Sequence, residues 1–122
     1  MILIGDELVP YESICKITDI SKINDTKANS TLLFTYDIDL IKYCQKNLLK
    51  TAVIVKDIKE LIYASEFDTS YIICEKEFAI DAQKIAENYM FDSKILVAIE
   101  NSDEIVWTAL NEIDGAIYKS LL

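Results

Sequence analysis

From residue 31 onward the chain alternates between two hydrophobic patterns. Short continuous apolar runs, typical of buried strands, are separated by segments in which apolar residues recur at helical spacing. The five predicted strands are residues 31–36, 51–55, 70–74, 95–99 and 116–118. Four predicted helices lie between them. Strands that are apolar on both faces and alternate with helices indicate a mostly parallel sheet covered by helices.

We therefore expect an α/β fold, a three-layer α/β/α sandwich built on a five-stranded sheet. The flavodoxin-like strand order 2-1-3-4-5 fits this succession of elements, and a Rossmann-like variant with an added N-terminal edge strand is the alternative. The 122 residues suffice for a single domain with its own core. Residues 31–122 are its regular βα part. Residues 1–30, which contain the only proline, are expected to form an edge strand or an irregular arm.

Two local signals predict where helices begin and end. The segment Asp57-Ile58-Lys59-Glu60 has the pattern of a capping box, in which the first and last side chains satisfy free N–H groups at a helix start. The pair Asp114-Gly115 predicts the end of the last helix, with Gly115 in the left-handed conformation that follows many helices.

The absence of two residue types narrows the chemistry. The chain has no histidine, and all 12 of its basic residues are lysine. Without histidine, Ser-His-Asp and Cys-His catalysis are excluded. Without arginine, bidentate recognition of phosphate and of guanine is disfavoured. A net charge of −9 also repels nucleic acid and anionic lipid. We therefore expect neither a nucleic-acid partner nor a membrane partner.

The three cysteines, Cys15, Cys44 and Cys74, are far apart and form no C-x-x-C pair. This spacing disfavours a disulfide framework and a thiolate zinc site, and it is typical of buried cysteines in a reducing compartment. No apolar run reaches the roughly 18 residues of a membrane-spanning helix. The first residues show no signal-peptide pattern. The expected location is therefore the cytoplasm.

Charged and polar side chains follow the predicted strands and form the candidate site, because open parallel sheets bind ligands beyond the carboxyl ends of their strands. The candidate site residues are Asp37, Asp39, Glu75, Ser102 and Lys119. With only two glycines the chain has no phosphate-binding loop, so no nucleotide cofactor is expected. The carboxylates of Asp37, Asp39 and Glu75 would suit Mg²⁺, the one possible cofactor. The alternative is that these acids only cap helices.

The order of these residues resembles that of the receiver domains of two-component signalling. In that family an acidic pair follows the first strand, a phospho-accepting Asp the third, Ser or Thr the fourth and Lys the fifth. Asp37 and Asp39, Ser102 and Lys119 match three of these marks. The third strand ends in Cys74-Glu75, without the phospho-accepting Asp, and one residue separates the acidic pair. The resemblance therefore implies a degenerate receiver that binds partners without phosphotransfer.

Aromatic side chains predict an interaction surface. Trp107 lies off the apolar face of its helix, which makes it a candidate interface residue, and packing against a neighbouring helix is the alternative. The segment Tyr89-Met90-Phe91 at a helix end has the same two interpretations, a surface that joins subunits or part of the core.

Two functional hypotheses follow. The first is a non-enzymatic regulatory or protein-interaction module, a soluble bacterial-type α/β domain whose partner is another protein or a second copy of the chain. The alternative is a small divalent-metal-dependent enzyme or phospho-acceptor. In it, Asp37, Asp39 and Glu75 hold the cation and Lys119 stabilises developing negative charge. The sequence does not decide between an enzyme and a binding protein.

Overall fold

The computed structural model describes all residues from Met1 to Leu122. The strands are β1 (Ile2–Ile4), β2 (Ile14–Lys16), β3 (Thr31–Thr35), β4 (Thr51–Ile54), β5 (Tyr71–Cys74), β6 (Lys94–Ile99) and β7 (Gly115–Tyr118). The helices are α1 (Ile38–Lys46), α2 (Ile58–Glu66), α3 (Lys76–Asn88) and α4 (Glu104–Leu110), with 3₁₀ turns at Ile20–Asp25 and Lys119–Leu121. The α/β class is confirmed, and each element predicted beyond residue 30 is present. None of the helices combines the length and the apolar character needed to cross a membrane.

All seven strands form one sheet in the order β1-β7-β6-β5-β4-β3-β2, and every neighbouring pair is parallel. A parallel sheet joined by helices is flavodoxin-like in general kind. The predicted number of five strands is wrong, because residues 1–30 supply both edge strands, β1 and β2. The predicted order 2-1-3-4-5 also differs from the observed one. Strands β2 to β7 lie side by side in chain order, so no reversal of order occurs among them.

The sequential order determines where the helices lie. When consecutive strands are neighbours, right-handed connections place the helices on one face of the sheet. The larger buried cluster accordingly combines residues of α1, α2 and α3 with alternate strand residues. The smaller cluster has no helix residue and consists of Ile4, Leu33, Ala52, Ile73, Leu96, Ala98 and Ile117. The second helical layer of the predicted sandwich is therefore replaced by a face that strands alone bury.

The smaller cluster is buried because the sheet curls around it. Leu121 lies at the end of β1, where a Cβ on Gly5 would be 3.0 Å from the Leu121 Cδ1. The carbonyl oxygen of Leu122 accepts a hydrogen bond from the Nζ of Lys16, the last residue of β2. In a flat seven-stranded sheet, β1 and β2 would be about 29 Å apart, given the usual strand spacing. Because residues 119–122, the C-terminal segment, reach both edges, the sheet is curved as in a barrel.

Each helix is followed by a residue other than glycine in the left-handed conformation. These residues are Leu48, Asp68, Met90 and Glu112, with φ of 56°, 59°, 52° and 57°. Glu112 rather than Gly115 is therefore the left-handed residue after α4, and the prediction for Gly115 is wrong. Gly115 begins β7, and a Cβ there would lie 2.3 Å from the carbonyl oxygen of Ile2. The close approach of β1 is what requires glycine at this position.

The capping box before α2 forms with one difference from the expected pairing. The N–H of Glu60 donates to Asp57 Oδ1 at 2.9 Å. The Glu60 carboxylate accepts from the N–H of Lys56 at 3.0 Å, one residue before the helix cap. Two N–H groups that lack helical partners are thus satisfied, which holds the chain where β4 leads into α2.

Two buried threonines give matched variants with opposite expected effects. The Oγ1 of Thr69 is buried without a hydrogen-bond partner, whereas the Oγ1 of Thr31 donates to Glu12 Oε2 at 2.7 Å. Valine has the same shape and lacks the hydroxyl. Thr69→Val is therefore expected to raise the free energy of unfolding by about 1 kcal/mol, and Thr31→Val to lower it by about 1 kcal/mol. Urea unfolding of both variants tests this. A loss of stability in Thr69→Val would contradict it.

Candidate functional site

The carboxyl ends of β5, β6 and β7 bring together two of the predicted site residues. The Nζ of Lys119, just after β7, lies 3.5 Å from Glu75 Oε2 and 3.6 Å from Glu100 Oε1. Glu75 and Glu100 directly follow β5 and β6, so neighbouring parallel strands explain the contact. The negative charge of Glu75 raises the pKa of Lys119, and that of Glu100 raises it further by a smaller amount. These exposed groups form an ion-paired cluster at the surface.

Asp37 and Asp39 lie elsewhere on this edge, at the start of α1. Asp37 is the helix cap, and its Oδ1 accepts the N–H groups of Asp39 at 3.1 Å and Leu40 at 3.2 Å. Asp39 is exposed in the first helical turn, where a negative charge favours the helix dipole. No group of three or more His, Cys, Asp or Glu side chains is placed to hold a metal ion. The structure therefore does not gather Asp37, Asp39 and Glu75 into a metal-binding set.

Ser102 is exposed in the turn before α4 and lines a depression that Asp6, Glu100 and Tyr118 share. The Tyr118 hydroxyl donates to Asp6 Oδ2 at 2.6 Å, which ties the end of β1 to the end of β7. The hydrogen bond to Asp6 raises the pKa of Tyr118 to about 12. Asp6, Tyr118 and Glu100 therefore line the depression with side chains that already have partners within the chain.

Glu104 is the residue at this edge that the sequence analysis missed. Its Oε2 accepts the N–H of Glu100 at 2.6 Å and its Oε1 accepts Lys76 Nζ at 2.9 Å. It therefore ties the end of β6 to the start of α3. The spacing from Asn101 to Glu104 is that of a capping box, and this signal could have identified the residue.

Replacing Glu104 with glutamine is expected to lower the free energy of unfolding by about 1 kcal/mol at pH 7, because charge-assisted hydrogen bonds become neutral ones. The hydrogen bond from the N–H of Glu100 has the largest effect on the pKa of Glu104 and lowers it from its ordinary value of 4.5. The hydrogen bond from Lys76 lowers it further. A carboxyl with a lowered pKa stabilises the fold above its unfolded pKa and loses that effect as the pH falls through the folded pKa. The difference between wild type and variant should therefore narrow below pH 4.5.

Urea unfolding at pH 7 and in mild acid measures that difference. Glu112→Gln, at an exposed carboxylate after α4, is the matched control and should show little change at either pH. A Glu104→Gln deficit that stayed constant with pH would contradict the account.

The C-terminal segment covers part of the edge at which parallel sheets usually bind ligands. It follows β7 directly, and Leu121 and Leu122 both pack against the smaller buried cluster. Gly5, at φ 96°, allows β1 to end close beneath Leu121. The inside of the curled sheet is thereby closed with apolar side chains of the chain itself.

Trp107 is half-buried and packs against the larger buried cluster. The Nζ of Lys76 lies 5.0 Å from the centre of its ring, within the range of a cation–π contact. The structure therefore places Trp107 in the packing of α4 on the sheet, with one face turned to Lys76.

An apolar depression lies on the helical side of the molecule, between the C-terminal ends of α2 and α3. It has a volume of about 500 Å³. We call it the α2–α3 groove, and it is lined by Ile62, Ser65, Glu66, Ile85, Tyr89, Met90, Phe91 and Asp92. Tyr89 and Met90 are 75% and 84% exposed, whereas Phe91 packs against the larger buried cluster. In the segment Tyr89-Met90-Phe91, the first two residues thus lie on the surface and the third packs against the core.

Of the residues that resemble the receiver pattern, Lys119 lies beside Glu75. Asp37 caps α1 and Asp39 lies in its first turn, and neither is grouped with Glu75. Comparison of the chain with known protein families and with curated proteins gave no match. The receiver resemblance accordingly stays a prediction.

Proposed function

We propose that the protein is a non-enzymatic regulatory or interaction module that binds another protein through its helical side. The observation that carries this proposal is the exposure of Tyr89 and Met90 beside an apolar groove. Tyrosine and methionine are enriched where proteins bind one another, and contiguous exposed apolar surface marks such sites. Contact with a partner protein would explain why these two adjacent large side chains are exposed at a helix end.

The contacts of the acidic side chains at the carboxyl edge of the sheet support the same proposal. Asp37, Asp57 and Glu104 accept backbone N–H groups at helix starts. Glu75 and Glu100 pair with Lys119. These contacts give each of these acids a structural role. A degenerate receiver that binds partners without phosphotransfer is one form that such a module would take.

The alternative of a metal-dependent enzyme or phospho-acceptor is favoured by one observation, the pairing of Glu75 with Lys119 at 3.5 Å. A lysine in that position could stabilise developing negative charge. We rank it second because the other candidate ligands, Asp37 and Asp39, are not grouped with Glu75. The effect of Mg²⁺ on stability separates the two proposals, as described at the end of the Discussion.

Affinity purification with the tagged chain from cells that express it naturally tests the interaction. The wild type is compared with Tyr89→Ser/Met90→Ser and with Leu8→Ser, a control at a leucine that is 91% exposed on a different surface. We expect a defined protein that wild type and Leu8→Ser retain and that the double variant loses. If all three chains retain the same proteins, or if none is retained, the proposal is wrong.

A further inference from the structure

We propose that the α2–α3 groove binds a lysine- or arginine-rich amphipathic helix of a partner protein. This inference rests on the proposed function and names the chemistry of the partner. It follows from the apolar lining of the groove, from the sign of the charges along it, and from the net charge of the chain.

The groove offers an apolar surface between two helices, which is the kind of surface that binds an amphipathic helix. Ile62 on α2 and Ile85 on α3 line it, and Tyr89 and Met90 stand open at one end. Its volume of about 500 Å³ accommodates several apolar side chains. An amphipathic helix inserts its apolar face into such a groove through residues one helical turn apart. Methionine adapts its shape to the occupant, as at other helix-binding surfaces.

The charges of the groove are all negative. Glu66 and Asp92 are its only charged lining residues, and no lysine lines it. Both are exposed, and neither belongs to any of the ion pairs, which involve Glu12, Glu60, Glu75, Glu100 and Glu104. Unpaired carboxylates beside an apolar surface complement a helix with apolar residues on one face and cations on its flanks.

The net charge decides between such a helix and a second copy of the chain. The chain carries −9 at pH 7, and its groove would present the same two carboxylates to a copy of itself. Like charges brought together at an interface oppose association, whereas a basic segment is attracted and steered toward the groove. The structure therefore favours a basic partner over self-association.

Met90 gives the experiment its probe. The chain has two methionines, Met90 in the groove and Met1 outside it, so labelling the methionine methyl groups with ¹³C yields one reporter and one internal control. The titrants are a helical peptide with leucine on one face and lysine on the other, and the same peptide with glutamate in place of lysine. We expect the lysine peptide to shift the Met90 signal and leave Met1 unchanged, with the glutamate peptide inactive.

Two charge-reversed variants separate local from overall charge. Glu66→Lys/Asp92→Lys changes the groove, and Glu7→Lys/Asp103→Lys makes the same change in net charge at exposed carboxylates near the carboxyl edge of the sheet. Affinity for the lysine peptide should fall about tenfold, about 1.4 kcal/mol, in the groove variant and little in the control. Equal losses in both variants would overturn the inference, and so would a shift of Met1 as large as that of Met90.

A third variant, Met90→Gly, separates a loss of peptide binding from a loss of folding. Met90→Gly removes the thioether and places glycine where φ is 52°, so the melting midpoint should rise by a few degrees while peptide affinity falls. A concentration-dependent Met90 shift in the chain alone would mean that a second copy fills the groove. That outcome would contradict the proposal that a basic helix binds in the groove. It would not contradict the proposal that the protein is an interaction module. The interaction module itself is tested separately, and it fails if purification finds no partner that depends on Tyr89 and Met90.

Discussion

Replacing Gly115 with alanine is expected to lower the free energy of unfolding by about 3 kcal/mol, the upper part of the usual range for overpacking a buried site. The added Cβ would lie 2.3 Å from the carbonyl oxygen of Ile2 and 2.9 Å from Leu96 Cδ2. A flexible side chain can move away, but the Ile2 carbonyl belongs to the backbone of β1. Relief therefore requires β1 to separate from β7, with which it pairs in the short register Ile2↔Gly115, Leu3↔Ala116 and Ile4↔Ile117.

Urea unfolding measures the loss, and hydrogen exchange locates it. The N–H of Ile2 donates to the carbonyl oxygen of Asp114 at 3.1 Å, so its protection should fall first. Gly5→Ala is the comparison, since its added Cβ would lie 3.0 Å from Leu121 Cδ1 and 3.1 Å from Tyr118 Cβ, and would meet no backbone atom this closely, while its backbone is held at φ 96°. We expect it to cost less, about 1 kcal/mol. A smaller loss in Gly115→Ala than in Gly5→Ala would contradict this account of β1.

Leu121→Ala/Leu122→Ala is expected to lower the free energy of unfolding by about 3 kcal/mol, since each half-buried leucine contributes about half of the cost of a buried one. Both side chains pack against the smaller buried cluster, which no helix covers. Their removal would open the inside of the curled sheet to water at its carboxyl end. The hydrogen bond from Lys16 Nζ to the carbonyl oxygen of Leu122 would remain, so the effect isolates the apolar closure.

The matched control is Leu48→Ala/Leu110→Ala, which truncates two leucines that are 93% and 78% exposed. It should change the free energy of unfolding by no more than about 0.5 kcal/mol. Binding of a hydrophobic dye to the native state provides a second measurement, and it should rise only in Leu121→Ala/Leu122→Ala. Equal effects in the two double variants would mean that the C-terminal segment does not close the sheet.

The hydrophobic pattern predicted the βα elements beyond residue 30, because buried parallel strands and amphipathic helices have distinct periods. It did not predict strand order, which depends on contacts between residues distant along the chain. The segment from Ile2 to Ile4 has only three strand residues, too few for a periodic signal, and its place beside β7 depends on Gly115. The strand Ile14–Lys16 follows a proline and was equally short.

The candidate site was predictable to the extent that residues follow neighbouring strands. Glu75 and Lys119 were expected at one edge, and they pair there. The predicted strand order would have placed β3 next to β5, and thus Asp37 near Glu75. In the structure β4 lies between these two strands, so the two acids are apart. The closure by Leu121 and Leu122 was beyond prediction, since two terminal leucines carry no pattern that indicates which cluster they join.

The groove was only partly predictable. Tyr89-Met90-Phe91 was identified as aromatic surface or core, and the left-handed backbone at Met90 explains why it is both. The turn at Met90 directs Phe91 into the larger buried cluster and leaves Tyr89 and Met90 open. No local signal in the sequence indicated that Ile62 of α2 would face the same space.

The measurement that most directly tests the central claim, that the acids at the strand ends are structural, is a melting curve with and without millimolar Mg²⁺ or Mn²⁺. It is made on wild type and on Asp37→Asn, because asparagine caps helices as well as aspartate does and removes the charge that a cation needs. A cation at ten times its Kd would add about 1.4 kcal/mol to the native state, or about 4 °C or more in a domain of this size. The account predicts the same midpoint with and without the cation in both chains. A rise in wild type that Asp37→Asn abolishes would contradict it and establish a carboxylate metal site.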